Sequence, residues 1–362
     1  MNRFSGKLAL QQRVLPNYRA PFFDLLASAC DGGMSLFTGL PRPVEGITTT
    51  DKLQVARTKL GKNVHLLGGS FYLCYQQGLI DWLEEWDPDA LIMEANPRYL
   101  SSRAAVEWMH KRERPVIGWG LGAPPVRRFR EQGRVNFLRH FDALISYSQR
   151  GADEYATLGF PLDYLFVAHN SVSPSPPWGL PTRPPTFDLR PNILFVGRLQ
   201  ARKNVDLLLG ACAEMESQPR LVIVGDGPER EALEALAKEI YPGAEFVGAK
   251  HGAELKPYFT EADLFVLPGT GGLAVQEAMS YGLPVIVAQG DGTQDDLVRA
   301  GNGWQIPPDD FDALVSTMKG ALSDAARLRR MGAESYRIVK EEINIEKMVE
   351  TFVRALTSLT VK

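Results

Sequence analysis

The chain has 362 residues, of which 44% are hydrophobic and 23% charged, with a net charge of −3. This length and composition predict a globular protein of about two domains. The near-balanced charge excludes a nucleic-acid-binding surface that runs over the whole sequence. The three cysteines are few and far apart, which argues against a disulfide framework. The N-terminal residues lack the apolar run of a signal peptide, and no stretch approaches the length of a membrane span, so we expect a cytoplasmic protein.

Charge is distributed unevenly along the chain. Residues 1–175 hold 20 Lys and Arg against 17 Asp and Glu, whereas the remainder holds 20 against 26. The first half is therefore the better candidate for contact with an anionic partner. The five histidines show no i,i+4 pair, and the D-x-D sequence at 87–89 precedes a predicted strand, where Asp and Pro are typical of a turn. We expect no metal and no cofactor.

Short apolar runs alternate with amphipathic segments along both halves of the chain. Strands are predicted near 7–12, 34–40, 63–69, 90–95, 115–121, 143–148 and 164–169, and again near 192–198, 220–227, 244–249, 263–269 and 284–290. Helical spacing follows most of these strands, and the chain ends with a helical run from about 324 to 359. Such alternation predicts an α/β protein with parallel sheets.

A proline-rich stretch interrupts the alternation. Residues 171–191 contain seven prolines and no hydrophobic periodicity. Because proline removes backbone donors and disfavours helix before it, this stretch is expected to be a stiff spacer. The predicted domains are residues 1–172 and 192–345, with a linker at 173–191.

Two cations follow the first predicted strand of the second half. Arg198 ends the run NILFVGR, and Lys203 lies five residues further on. Two fixed positive charges beside one strand end suit a diphosphate that gains negative charge as it leaves. Two solvated surface cations are the alternative interpretation.

Glycine-rich turns follow two further strands of the second half. Gly225, Asp226 and Gly227 precede Pro228, and a third glycine for a dinucleotide-binding fingerprint is missing. The second turn precedes a helix whose N-terminal amides suit phosphate oxygens, and Glu277 follows about one turn later, where a carboxylate suits a ribose diol. Its residues are Gly269, Thr270, Gly271, Gly272 and Leu273. Ordinary βα turns are the alternative for both.

The three elements recur in order on successive strands, and this joint pattern resembles a known family. The segments VGRLQARKNVDLLLGA, VIVGDGPEREALEALA and GLAVQEAMSYGLPVIV closely resemble the C-terminal half of retaining glycosyltransferases of family 4. The resemblance implies the GT-B fold, with two Rossmann-like domains whose parallel sheets face an interdomain cleft. It implies that Arg198 and Lys203 contact the donor diphosphate, that Gly197 and the glycine-rich turns bind the donor, and that Glu277 contacts the ribose.

The resemblance also implies features outside these motifs. The final helix, about 346–362, is expected to pack back on the first domain. Base recognition is expected mostly from backbone near 247–255. The family's motif has two glutamates separated by seven residues, and Gly269 stands where the first of them is expected. That glutamate normally contacts hydroxyls of the donor sugar, so its absence leaves the sugar open.

The first half resembles the family more loosely and is expected to supply the acceptor site. Residues at predicted strand ends are the candidates for the acceptor side: Asn17, Tyr18, Arg19, Glu94, Trp119 and Gly120. A basic segment from Arg127 to Arg139 carries five arginines against one glutamate. This segment is either a solvated helix face or a peripheral contact with an anionic membrane surface or a lipid-diphosphate acceptor.

These features predict a metal-independent glycosyltransferase. It is expected to move a sugar, with retention, from a UDP- or GDP-sugar to a hydroxyl of a saccharide or lipid-linked acceptor, in cell-surface polysaccharide or glycolipid synthesis. The protein is expected to be cytoplasmic or peripheral at the inner face of the membrane. No nucleic-acid partner is expected. A GT-B-type epimerase or phosphorylase and a non-catalytic nucleotide-sugar binder are the alternatives.

Overall fold

A computed structural model describes residues 2–50, 52–124, 128–290 and 292–360. The chain divides into two compact units. Unit 1 comprises residues 1–172 together with 345–362, and unit 2 comprises residues 173–344. None of the helices in these described ranges is both long and apolar enough to cross a bilayer.

Unit 1 consists of strands with helices between most of them. The strands are β1 (Leu8–Val14), β2 (Met34–Gly39), β3 (Arg57–Leu60), β4 (Lys62–Leu66), β5 (Leu73–Gln77), β6 (Ala90–Glu94), β7 (Val116–Gly120), β8 (Ala143–Ser146) and β9 (Leu165–Val167). The helices are α1 (Ala20–Ser28), α2 (Leu79–Trp86), α3 (Ser102–His110), α4 (Arg128–Leu138) and α5 (Gln149–Thr157). The central strands are almost wholly buried because helices cover both faces of a parallel sheet.

The main sheet of unit 1 is parallel, with described strands in the order β3-β2-β1-β6-β7-β8-β9. The chain order reverses between β1 and β6, which creates a crevice at the carboxyl ends of these two strands. β4 and β5 form a separate antiparallel hairpin. The hairpin differs from the parallel arrangement expected for the run at 63–69, because β4 returns directly through a short connection instead of a crossover helix.

Unit 2 repeats the α/β alternation. Its strands are β10 (Asn192–Val196), β11 (Arg220–Val224), β12 (Glu245–Gly248), β13 (Leu264–Leu267), β14 (Val285–Ala288) and β15 (Gly303–Ile306). Its helices are α6 (Val205–Ala213), α7 (Arg230–Ile240), α8 (Lys256–Glu261), α9 (Leu273–Ser280), α10 (Thr293–Leu297), α11 (Phe311–Leu322) and α12 (Ala325–Glu341). The described strands form one parallel sheet in the order β12-β11-β10-β13-β14-β15, which reverses between β10 and β13.

The proline-rich segment belongs to unit 2 and is anchored to it. The Trp178 indole donates to the carbonyl of Ser280 at 3.1 Å and stacks on Tyr281. The Arg183 guanidinium donates to the carbonyls of Phe259, Ala262 and Tyr281 at 2.7–3.1 Å. The segment, which was expected to be a stiff spacer, is therefore fixed to unit 2 at two points.

The last helix, α13 (Ile345–Thr360), belongs to unit 1. Its apolar face joins the buried cluster that contains β1, β6 and α1 through Met348, Val349, Phe352, Val353 and Leu356. The continuous helix expected from 324 to 359 is instead interrupted at 342–344. There the Asn344 amide donates to the carbonyls of Val339 and Lys340, and so binds carbonyls that the end of α12 leaves free.

Candidate functional site

The predicted donor residues of unit 2 follow β10, β11 and β13, at the edge where the sheet order reverses. Gly197 to Lys203 follow β10, and Gly269 to Leu273 follow β13, which is its neighbour. In open α/β sheets, ligands bind beyond the carboxyl ends of the strands at such a reversal. The topology thus brings these two segments to one binding edge.

Two glycines allow the turns after β10 and β11 to pack against each other. A Cβ at Gly225 would lie 1.9 Å from the carbonyl oxygen of Gly197, and one at Gly227 would lie 2.2 Å from that of Leu199. The Leu199 amide donates to the Asp226 carbonyl at 2.9 Å. No residue with a side chain fits either position without backbone movement, which explains the glycine requirement of this turn.

Arg198 lines a pocket of about 540 Å³ at this edge. The predicted residues Gly197, Gly225, Asp226 and Gly227 line the same pocket. Arg198 is exposed, and within the described ranges it forms no ion pair, whereas Asp226 pairs with Arg230 at 3.2 Å. The pocket therefore holds a guanidinium whose charge is not neutralised by any carboxylate among the described residues of unit 2, which suits an anionic ligand.

Lys203 is buried and holds the glycine-rich loop after β13. Its ammonium donates to the carbonyls of Thr270 at 2.7 Å and Gly271 at 3.4 Å. The Thr270 amide in turn donates to the Arg202 carbonyl at 3.0 Å. Burial and the nearby Arg202 charge lower the pKa of Lys203 to about 8. A negatively charged ligand group close to the Lys203 ammonium would therefore be stabilised, because the ammonium is already poorly solvated.

Gly269 has no room for a side chain. It is buried, and a Cβ at this position would lie 2.2 Å from the Arg202 carbonyl oxygen and 2.4 Å from the Cα of Lys203. The loop backbone therefore lies directly against the turn that carries Lys203. A glutamate at position 269 requires a different loop path.

Glu277 lies in the second turn of α9, after the exposed Leu273 at the helix start. Its carboxylate is half-buried, and burial raises its pKa. It forms no ion pair in the part of the chain that the structure describes. A half-buried carboxylate without a cation is a good acceptor for ligand hydroxyls, and the free amides at the start of α9 add donors for an anion.

Three further residues lie at this edge; Arg202 was not predicted, and Lys250 and His251 were expected only as part of the backbone segment 247–255. Lys250 and His251 follow β12 and line the Arg198 pocket. Arg202 is exposed beside the glycine-rich loop, 3.4 Å from the Thr270 carbonyl oxygen. Position after a strand of the same sheet is the signal that identifies all three. Together with Arg198 and Lys203, the side chains of Arg202 and Lys250 make this edge rich in cations.

In unit 1, the predicted acceptor residues that follow β1 have different environments. Asn17 and Tyr18 are exposed. Arg19 is buried, donates to the carbonyl of Ser171 at 3.0 Å and binds the side chain of Asn170. Arg19 thus ties the start of the chain to the end of the first segment of unit 1, in contrast to the expected acceptor-facing role.

The predicted acceptor residues at the ends of β6 and β7 also differ in their exposure. Trp119 is 1% exposed and packs against Phe22 and Phe352, so its side chain belongs to the core and offers no surface to a ligand. A Cβ at Gly120 would lie 2.5 Å from the Tyr155 hydroxyl. Glu94 is half-buried at the end of β6, where its carboxylate accepts from the Arg13 amide, and burial raises its pKa to about 7.

The basic segment predicted to contact a membrane is described only in part. Arg127 lies outside the described residues, and α4 covers most of the remainder. Arg134 donates to the Pro124 carbonyl at 2.5 Å, and Arg139 lines a pocket of about 180 Å³ with apolar neighbours. Among the described large apolar side chains of α4, Phe137 and Leu138 are buried.

Comparisons with known proteins agree with this geometry. Residues 190–324 match the family described as glycosyl transferases group 1. A GDP-mannose-dependent alpha-mannosyltransferase of Corynebacterium glutamicum is 36% identical over 151 residues, which are 41% of this chain and 35% of the relative. Its counterpart in Mycobacterium tuberculosis is 39% identical over 128 residues, 34% of this chain and 32% of the relative. The chain thus covers about a third of these relatives' length.

Structural similarity extends over the whole chain. The crystal structure of HepE from Anabaena in complex with UDP superposes with a TM-score of 0.71 at 15% identity, covering 99% of this chain and 100% of HepE. The predicted α/β fold is therefore confirmed. The chain has the GT-B fold with two Rossmann-like domains, and residues 190–324, which hold every predicted donor-site residue, match the glycosyl transferases group 1 family.

Proposed function

We propose that the protein is a retaining, metal-independent glycosyltransferase that uses a UDP- or GDP-sugar. One observation carries the proposal. The Arg198 guanidinium, without an ion-pair partner in the described ranges, lines a pocket that the glycine turns also line, where the sheet order of unit 2 reverses. Relatives named as GDP-mannose-dependent enzymes and a structure solved with UDP support a nucleoside diphosphate as the ligand.

In the proposed reaction, the bond between the anomeric carbon and the diphosphate oxygen breaks, and its electron pair leaves with the diphosphate. An acceptor hydroxyl oxygen forms the new bond to the same carbon, on the same face. The hydroxyl proton passes to the departing phosphate oxygen. Arg198 and Lys203 stabilise the negative charge that develops there, in the role that a metal ion has in other transferases. Glu277 orients the ribose by accepting hydrogen bonds from its hydroxyls.

The acceptor is proposed to be a saccharide or a lipid-linked saccharide bound by unit 1, in the synthesis of surface polysaccharide or glycolipid. Exposed Asn17 and Tyr18 and the half-buried Glu94 offer polar groups at the β1–β6 crevice. Peripheral membrane contact belongs to the same proposal. A non-catalytic nucleotide-sugar binder is the alternative, because Gly269 leaves no side chain for the donor sugar.

Thermal unfolding with UDP, GDP, ADP or NAD in the presence of EDTA tests the donor site. A ligand at 100 times its Kd stabilises a protein by about 2.7 kcal/mol, and we expect such a shift with one of the diphosphates. Arg198→Ala should abolish the shift and lower kcat/KM about a hundredfold or more. Arg330→Ala, an exposed arginine of α12, is the matched control and should leave both unchanged.

The outcomes separate the two functions. A shift without release of diphosphate, over a panel of sugars and acceptors, would favour the non-catalytic binder. Wild-type turnover in Arg198→Ala would refute the role of Arg198. No shift with any of the four ligands would refute the donor site itself.

A further inference from the structure

The β4–β5 hairpin of unit 1 carries an exposed apolar surface, which we call the hairpin patch. It comprises Leu66, Leu67, Phe71 and Tyr75, all exposed, with Leu67 and Phe71 each 71% exposed. Leu66 and Leu73 form the last pair of the hairpin, so Leu67 and Phe71 lie in the connection at its tip. Clustered exposed apolar side chains of this size mark an interaction surface on a protein.

The sequence segment that contains the hairpin is basic. Residues 52–78 contain four Lys and Arg and no Asp or Glu. Lys59 pairs with Glu85 at 2.6 Å, and Arg57 lies over the Trp86 ring. Lys52 and Lys62 are exposed and form no ion pair within the described ranges. An apolar tip with the unpaired Lys62 at the base of β4 is complementary to an anionic lipid surface.

The base of the hairpin is fixed while its tip projects. The Asn63 amide donates to the carbonyls of Arg13 and Leu40 at 2.8 and 2.9 Å, which ties β4 to the ends of β1 and β2. Tyr72 bonds the ring of His65 at 2.9 Å. The hairpin thus stands at the same edge of the sheet as the β1–β6 crevice.

The spacing along β4 suits insertion of the tip. Lys62 precedes Leu66 by four residues, which is roughly 13 Å along a strand. If the tip enters the headgroup region by about 5–10 Å, the Lys62 ammonium lies within about one Debye length of the surface. We propose that the β4–β5 hairpin docks unit 1 onto an anionic lipid bilayer, with Leu67 and Phe71 inserted and Lys62 facing the headgroups.

The docking surface differs from the segment of Arg127 to Arg139, whose described apolar residues are mostly buried. It rests on the proposed function in one respect, because docking at this edge would place the crevice of unit 1 beside a lipid-linked acceptor. Binding to vesicles needs neither donor nor turnover. A failure of vesicle binding can therefore be distinguished from a failure of the donor site, because nucleotide-induced thermal shifts report on the donor site alone.

The test is flotation of the full chain with two kinds of vesicle. One is phosphatidylcholine alone and the other is equal parts of phosphatidylcholine and phosphatidylglycerol. We expect binding to the anionic vesicles only, weakening between about 0.1 M and about 1 M salt. The double variant Leu67→Ser/Phe71→Ser and, separately, Lys62→Glu should each lower the partition coefficient about tenfold or more.

Leu162→Ser is the matched control, because Leu162 is 73% exposed on the same unit, and it should bind as the wild type does. A thermal melt of each variant checks that it is folded. Equal binding by the tip variants and Leu162→Ser would overturn the proposal. Failure of the wild type to bind either vesicle would also overturn it and leave the hairpin patch as a surface for another protein.

Discussion

At the scale of single residues, Lys203 couples the proposed donor site to pH. Its pKa is lowered to about 8 by burial and by Arg202, so the free protein is about half-protonated at this position at pH 8. A diphosphate beside the ammonium favours the charged form. Binding of UDP or GDP at pH 8 should therefore take up about half a proton at Lys203, and the affinity should fall as the pH rises further.

Calorimetry in two buffers of different ionisation enthalpy measures this uptake. Lys203→Gln removes the titrating group but keeps a donor for the Thr270 carbonyl, so we expect weaker binding without the uptake. An uptake that persists unchanged in Lys203→Gln would assign the proton to another group and contradict the coupling.

Glu94 should make unit 1 less stable as the pH rises. Burial raises its folded pKa to about 7, whereas an unfolded glutamate titrates near 4.3. Between these values the folded state binds more protons, so the free energy of unfolding decreases with increasing pH. Between pH 5 and pH 8, the free energy of unfolding of Glu94→Gln should rise by about 2 kcal/mol relative to that of the wild type, as measured by urea unfolding. A difference in the free energy of unfolding between Glu94→Gln and the wild type that stays constant from pH 5 to pH 8 would contradict the raised pKa of Glu94.

At the scale of elements, the turns after β10 and β11 depend on contact between their backbones. A Cβ at Gly227 would lie 2.2 Å from the Leu199 carbonyl oxygen, whereas one at Gly243 would meet no atom within 4 Å. Gly227→Ala should therefore destabilise unit 2 by about 1–3 kcal/mol and weaken nucleotide binding, since the displaced turn carries Arg198. Gly243→Ala should change the free energy of unfolding by less than about 0.5 kcal/mol. Equal thermal and binding data for the two variants would contradict this account.

The sequence predicts the elements that bury apolar runs and misses those that do not. Every central strand of both sheets follows from an apolar run. β3 is exposed along its whole length and β5 alternates, so neither forms a run, and the antiparallel hairpin was not predicted. The break between α12 and α13 depends on hydrogen bonds of one side chain, Asn344, which apolar periodicity does not reveal.

The sequence also predicts site residues placed by topology, but not those placed by contacts between distant parts of the chain. Residues that follow predicted strands reach the binding edge because topology alone brings them there. Arg19 and Trp119 are buried because they pack against Met348 and Phe352 of α13. Their position near a strand end does not predict this burial. The lack of space at Gly269 arises from backbone 66 residues earlier in the chain, at Lys203, and no local pattern encodes that contact.

At the scale of the whole molecule, the two units differ in how the chain builds them. Unit 2 is continuous, and its core and the Arg198 pocket lie within residues 173–344. Unit 1 is discontinuous, because α13 supplies Met348, Val349, Phe352, Val353 and Leu356 to its core. Burial of these five side chains contributes on the order of 10 kcal/mol, which is comparable with the whole stability of a domain.

Fragment stability should therefore be asymmetric. Residues 173–344 should unfold cooperatively on their own and keep the thermal shift with a nucleoside diphosphate. Residues 1–172 should lack a cooperative transition, because the apolar surface that α13 covers is left open to water. Joining 345–362 to residue 172 through a flexible Gly/Ser linker should restore the transition, whereas the same linker followed by a 345–362 segment with Phe352→Ser and Leu356→Ser should not. A cooperative transition in residues 1–172 alone, measured by circular dichroism, would contradict the role of α13 as part of the first domain's core.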